Sequence, residues 1–267
     1  MKKTIAVILT LILALTLASC AKSEEEKAAE EAFNAEVTRI EAELEERDTD
    51  VQAAQEVIDD ERPALDDTLK PALQTAVAEA NAIEFDAPKA PRGVEEINAA
   101  TEELKKISYA DQLQSLKDST KALSDSIKKY ELVNAPEESY VVKCLKSVKD
   151  IDGVAAATED HDPNGNLNKA GGYTAQVYFS SPLADHSYLD NDIIEAGTDG
   201  GGSVEVYKTV EEATKRDEYL ATFDGTVTAS GSHKVVGTCI VRTSDSLTAT
   251  QQKELEEAVI EALTKLE

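Results

Sequence analysis

Several groups of residues in this chain have types and spacings that chemistry can use. Asp160-His161-Asp162-Pro163-Asn164-Gly165-Asn166 sets oxygen side chains at alternate positions ahead of a glycine, as a calcium loop opens. Calcium takes about six to eight oxygens, and Asp160, Asp162, Asn164 and Asn166 supply about four. The twelfth position of such a loop is Gly171, where a bidentate Glu belongs, and Pro163 stiffens the segment. The same residues also read as an Asp-Pro-Asn-Gly turn. Calcium is therefore the one cofactor candidate, with a plain turn as its competitor. Asp185-His186-Ser187 holds the residue types of a hydrolytic triad. Triads assemble across a fold, however, and no Gly-x-Ser-x-Gly elbow is present. His161, His186 and His233 lack zinc-type spacing, and there is no CxxC. Gly200-Gly201-Gly202 lacks the Gly-Lys-Ser/Thr ending of a phosphate loop and predicts a mobile turn. Helix carboxylates such as Glu211 and Glu212 read as surface charge and capping.

Of the three cysteines, Cys20 stands apart. Lys2 and Lys3 precede an apolar run from Ile5 to Leu17. That run is shorter than the roughly 20 residues a spanning helix needs, and it has the form of an export signal. Leu17-Ala18-Ser19-Cys20 follows and resembles the bacterial lipobox read by lipoprotein signal peptidase. The resemblance implies cleavage before Cys20, a thioether to diacylglycerol and acyl chains such as palmitate. Two or more acyl chains anchor stably where one does not. The expectation is residence at the extracytoplasmic face of the cell membrane, with residues 20–31 as lipidated cysteine and tether. Cys144 and Cys239 fall in predicted strands, where they either pair in an oxidising compartment or stay as buried thiols.

The net charge of −26 repels phosphate backbones and anionic head groups. Nucleic acid is excluded as a partner, and the protein is expected to stand off the membrane surface.

Two chemistries share the chain. Of 12 glycines, only Gly93 precedes residue 133, and of 12 Phe and Tyr only four do. The first half, rich in Ala, Glu and Lys, favours helix. Phe33, Val37, Ile40, Leu44, Val51, Ala54 and Ile58 form one stripe over residues 24–60, with Arg47 filling a gap. Leu65 to Ile83 form a second, with Pro71 kinking the helix or moving its start. Ile97 to Tyr130 form a third. Residues 32–132 thus predict an antiparallel three-helix bundle, or a coiled-coil stalk.

Over residues 138–267 the signals alternate. Strands are predicted at Tyr140–Val148, Tyr173–Phe179, Ser203–Tyr207 and Lys234–Arg242, and a short helix at Asp150–Thr158. Thr209 with Glu212, and Thr248 with Gln251, are capping-box patterns opening two further helices. The order β-α-β-β-α-β-α predicts an α+β module, ferredoxin-like with a terminal helix added. Tyr140, Tyr173, Tyr178, Tyr188 and Tyr207 lie in or beside strands, as core residues or as a binding face.

The segments Thr158–Phe179, Gly201–Leu220 and Ser230–Thr248 together resemble an uncharacterised C-terminal module of secreted Gram-positive lipoproteins, sometimes labelled EbhA-like. Asn168-Lys169-Ala170-Gly171-Gly172 departs from its Gly-Arg-Pro-Gly-Gly turn by lacking the proline. The resemblance implies location and architecture and carries no catalytic residue. The expected function is a non-enzymatic binding or structural protein of the envelope, with an envelope protein or wall polymer as partner. The alternative is a lipid-anchored extracellular hydrolase.

Overall fold

The computed structural model describes residues 22–185, 192–226 and 231–267. Leu17, Ala18, Ser19 and Cys20 lie outside the described residues, as do His186, Ser187 and Tyr188. The protein is mixed helix and sheet, long helices first and a five-stranded antiparallel sheet with helices after, so the α+β class holds. It divides into two compact units, one ending at Asp59 and resuming over Pro71–Thr120, the other comprising Asp60–Lys70 and Lys121–Glu267.

In the first unit α1 spans Glu24–Ile58. The Ser23 hydroxyl accepts from the Glu26 N–H, and Glu24, Glu25 and Glu26 complement the helix dipole. These caps make residues 24–31 helix, where a tether was expected. Phe33 and Ile40 bury against Ile97 and Leu104 of α3, Val94–Lys105. Arg47, the gap in the apolar stripe, donates from Nη1 to the Ile83 carbonyl at 2.8 Å. Helix α2, Leu69–Asn81, holds Pro71 within its first turn, so the proline marks the start and no kink is needed. The third stripe is two helices, α3 and α4 (Ala110–Leu132), rather than one. They separate at Ile107-Ser108-Tyr109, where Glu43 accepts the Tyr109 N–H at 2.8 Å and Arg39 donates to the Ile107 carbonyl.

In the second unit α5 is Glu138–Leu145, β1 Gly153–Ala156 and β2 Ala175–Ser180. A one-turn α6, Ile193–Ala196, leads through a 3-10 turn to β3, Gly201–Val206. Then follow α7 (Val210–Ala221), β4 (His233–Val236), β5 (Cys239–Thr243) and α8 (Ala249–Leu263). The strand order is β1-β2-β3-β5-β4, antiparallel throughout. This order replaces the ferredoxin-like connectivity, for three local reasons. Tyr140–Leu145 lies in helix α5 and Val148 just past its end, not in a strand, because Val141, Cys144, Leu145 and Val148 sit at helical spacing and all are buried. Gly153–Ala156 is strand and not helix, because pairing with β2 overrides alanine's helix propensity. Lys234–Arg242 is a hairpin and not one strand. Gly237, at φ 60°, opens its two-residue turn, with Val236 opposite Cys239.

The two sheet faces differ. Val177, Phe179, Val204, Val206, Cys239 and Val241 pack on Val141 and Leu145 of α5 and on Leu255, Val259 and Leu263 of α8. Thr248 and Gln251 complete the predicted capping box that starts α8. Cys144, on α5, and Cys239 are free thiols in this core, not a disulfide. Burial raises both thiol pKa values, that of Cys239 to about 12. Gly201 and Gly202 are buried strand residues, not a mobile turn; a Cβ on Gly202 would meet the Phe179 ring at 2.3 Å.

Candidate functional site

The second sheet face is polar. Strand register puts Tyr178, Ser203, Arg242 and His233 in one row, and Gln176, Glu205, Ile240 and Val235 in the next. The period-two alternation of β2, β3 and β5 sends these side chains opposite to the apolar core. All but His233 and Val235 are nevertheless buried, Gln176, Ser203 and Glu205 fully so. Glu205 is the hub. Its Oε2 accepts from Arg216 Nε at 3.0 Å and from the Tyr207 hydroxyl at 2.7 Å. Its Oε1 accepts from Arg216 Nη2 at 3.2 Å and Arg242 Nη1 at 2.9 Å. Burial pushes the Glu205 carboxyl up, but Arg242 and Arg216 outweigh burial and hold it below the usual carboxylate range. Burial, followed by the Glu205 charge, pushes the Tyr207 phenol up. Among the described residues the Gln176 amide and the Ser203 hydroxyl find no partner.

Of the candidates named from the sequence, Asp162 serves its own loop. Its Oδ1 accepts from the Tyr173 hydroxyl at 2.5 Å and its Oδ2 from the Leu167 N–H at 2.8 Å. Burial raises the Asp162 carboxyl, and the Tyr173 and backbone donors together bring it below its ordinary range. Asn164 donates to the Tyr178 hydroxyl at 3.0 Å. The Asp160, Asp162, Asn164 and Asn166 run is therefore held as a turn by hydrogen bonds that engage both Asp162 oxygens, against the calcium-loop reading. Among the described residues no group of three or more His, Cys, Asp or Glu gathers as a metal site. His161 Nε2 lies 2.7 Å from Glu195. His233, at the start of β4, has Nδ1 2.6 Å from Asp217 and Nε2 3.3 Å from Asp224. Both of its ring nitrogens face carboxylates, and the neighbouring Ser232 hydroxyl is engaged by Thr243 and Glu256. Tyr173, Tyr178 and Tyr207 are buried core residues, and Tyr140 donates its hydroxyl to the Leu263 carbonyl.

The open feature beside this network is a cleft of about 450 Å³ between the Gly171-Gly172 turn and α7, also lined by Asn166, Glu212, Lys215 and Tyr219. Arg216 ties its wall to Glu205, and its Cζ sits 5.4 Å from the Tyr219 ring centroid. Phe223 meets that ring edge-on at 5.1 Å. Tyr219 is 54% exposed, rare here for a large apolar side chain. The Thr209 hydroxyl caps α7 by accepting the Glu212 N–H, and only that half of the predicted capping box forms. Glu212 instead keeps Oε2 buried without a partner. Sequence reasoning took Glu212 as surface charge and passed over Lys215 and Tyr219, since nothing in a helical repeat shows which turn faces a cleft.

The first unit has an apolar cleft of about 650 Å³ lined by Phe33, Pro88, Pro91, Leu104 and Ile107. The charge pair on its wall, Lys106 with Glu103, is closed. Size favours this cleft, but specificity comes from convergent polar groups, and those are at α7. No protein-family profile, curated protein or solved structure matches this chain.

Proposed function

We propose that this chain is an extracytoplasmic lipoprotein, held to the cell membrane through lipid on Cys20, whose α+β module acts as a non-enzymatic binding element of the envelope. The anchor half of the proposal rests on the Leu17-Ala18-Ser19-Cys20 motif behind a basic and apolar leader, together with the likeness to secreted lipoprotein modules. No helix among the described residues is long and apolar enough to cross a membrane.

One observation carries the binding half. The charged clusters of the module close on themselves, Glu205 with Arg216 and Arg242, His233 with Asp217 and Asp224. Glu212, Lys215 and Tyr219 instead line the α7 cleft, with no ion pair between Glu212 and Lys215 among the described residues. General-base chemistry needs a ring nitrogen or carboxylate within reach of a nucleophile. His233 is turned to two acids, and this supports binding over the hydrolase alternative. The acidic surface directs the choice of partner toward an envelope protein or wall polymer rather than nucleic acid.

The test is expression of the full chain in a bacterial host with an alkyne-tagged palmitate, beside Cys20→Ser. Label and membrane retention in the parent, both lost in the variant, are expected; equal labelling of the two refutes the anchor. A crosslinked pull-down from the envelope with the full chain is expected to enrich one partner or the wall fraction. Enrichment of neither refutes the envelope partner.

A further inference from the structure

The cleft at α7 combines three observations that together define a ligand. The first is a carboxylate oxygen, Glu212 Oε2, that is buried and has no partner. An N3 glutamate ordinarily reaches back to the N-cap amide. Here a backbone hydrogen bond, then the Thr209 hydroxyl and the Lys215 charge, hold the neighbouring Glu211 carboxylate below its usual range. Glu212 lines the cleft, and its Oε2, buried behind that surface, takes no hydrogen bond among the described residues, which is unfavourable. The carboxylate as a whole thus lacks a donor that a ligand N–H can supply.

The second is Lys215, one turn further along the same face. An i, i+3 acid and base on a helix commonly pair. Among the described residues Lys215 and Glu212 do not pair with each other, although both line the cleft. An acid and a base held apart on one wall complement a molecule that carries both charges. Their Cβ atoms are about 5–6 Å apart by helix geometry. A peptide spans at most about 3.3–3.6 Å per residue, so about two residues bridge them.

The third is the opposite wall. Position 171 opens on free space, with nothing within 4 Å of where a Cβ would be, so the turn presents bare backbone. The Gly171 backbone beside Asn166 suits a peptide bond, the Gly172 N–H being spent on the Lys169 carbonyl at 2.9 Å, and on the α7 wall the Tyr219 ring, braced by Arg216 and Phe223, gives an apolar surface for a small side chain. The volume of about 450 Å³ lies within the usual range for small-ligand sites.

We infer that this cleft binds a short zwitterionic peptide of about two residues, its ammonium on Glu212 and its carboxylate on Lys215. The inference rests on the binding role proposed above and names the ligand class for it.

Isothermal titration of the full chain in detergent micelles tests it, with Ala-Ala, N-acetyl-Ala-Ala, Ala-Ala-amide and N,N′-diacetylchitobiose as probes. Ala-Ala is expected to bind saturably in the millimolar range or tighter, and blocking either terminus is expected to weaken it about tenfold or more. Glu212→Gln is expected to weaken Ala-Ala similarly and to make N-acetylation indifferent; Lys215→Gln does the same for amidation. Lys149→Gln, outside the cleft, leaves binding unchanged. Absence of saturable heat from Ala-Ala overturns the inference, as does equal binding of the blocked peptides or preference for the disaccharide. If a cleft variant fails to fold by circular dichroism, the blocked-peptide series on the parent chain still decides. A silent Ala-Ala titration beside a positive envelope pull-down removes this ligand class alone; a silent pull-down beside saturable, terminus-dependent binding removes the envelope partner alone.

Discussion

Replacing Glu205 with Gln tests the energetic centre of the α+β module. The substitution keeps shape and removes one charge from a site where Arg216 and Arg242 converge at 2.9–3.2 Å and Tyr207 donates at 2.7 Å. Glu205 is fully buried and Arg242 is 6% exposed, so solvent cannot replace the lost carboxylate. Removing one partner of a buried pair costs about 3–5 kcal/mol. Against a typical stability of about 5–15 kcal/mol this is a large fraction. At about 2–4 °C per kcal/mol for a unit of this size, the midpoint should fall by about 6–20 °C. Thermal unfolding followed by circular dichroism measures the shift, and urea unfolding measures the free energy. The pH dependence supplies a second, independent sign. The folded carboxyl lies below its ordinary value of 4.5, so its stabilisation is present in full above that value. It is lost as pH falls through the lower, folded value. The gap between parent and Glu205→Gln should therefore be full at neutral pH and shrink below about pH 4.5. Removing the three charges together, as Glu205→Leu with Arg216→Met and Arg242→Met, should cost less than Glu205→Gln, because no charge is left stranded. A loss under about 1 kcal/mol for Glu205→Gln, or a gap that widens on acidification, refutes the assignment of Glu205 as a charged hub.

Further outcomes follow from the same structure. Asp162→Ala removes acceptors for Tyr173 and Leu167 and should cost about 1.5–3 kcal/mol, while millimolar calcium should leave the parent's unfolding midpoint unchanged; a calcium-dependent rise would restore the metal-loop reading. Gly202→Ala sets a Cβ 2.3 Å from both the Phe179 ring and the Arg242 carbonyl, and should destabilise by about 1–3 kcal/mol in urea titration. In a Cys20→Ser background, Cys144 and Cys239 should react slowly with a thiol reagent at pH 8 in the native protein and promptly in denaturant, because burial holds Cys239 up at about 12 and raises Cys144; rapid native labelling contradicts that burial.

Some local signals in the chain were sufficient for the elements they start. The Thr248 and Gln251 box starts α8, and the glycine and aromatic shift after residue 132 separates a helical half from a half containing sheet. Each acts over one helical turn or one composition window, so no distant contact is needed. Where segments were short and apolar, the periodicity was ambiguous. Tyr140–Val148 and Gly153–Ala156 exchanged roles because a handful of residues fits either period, and packing on α8 or pairing with β2 decided between them. The candidate site was the least legible part. Alternation along β3 shows that Ser203 and Glu205 oppose Val204 and Val206, which ordinarily means solvent. Only the tertiary fold brings Arg216 of α7 and Arg242 of β5 over Glu205, and turns Glu212 and Lys215 toward the Gly171-Gly172 turn. Sequence sets which way a side chain leaves its own element, because that follows from backbone geometry. What it meets there depends on how separate elements pack, and the fold decides that.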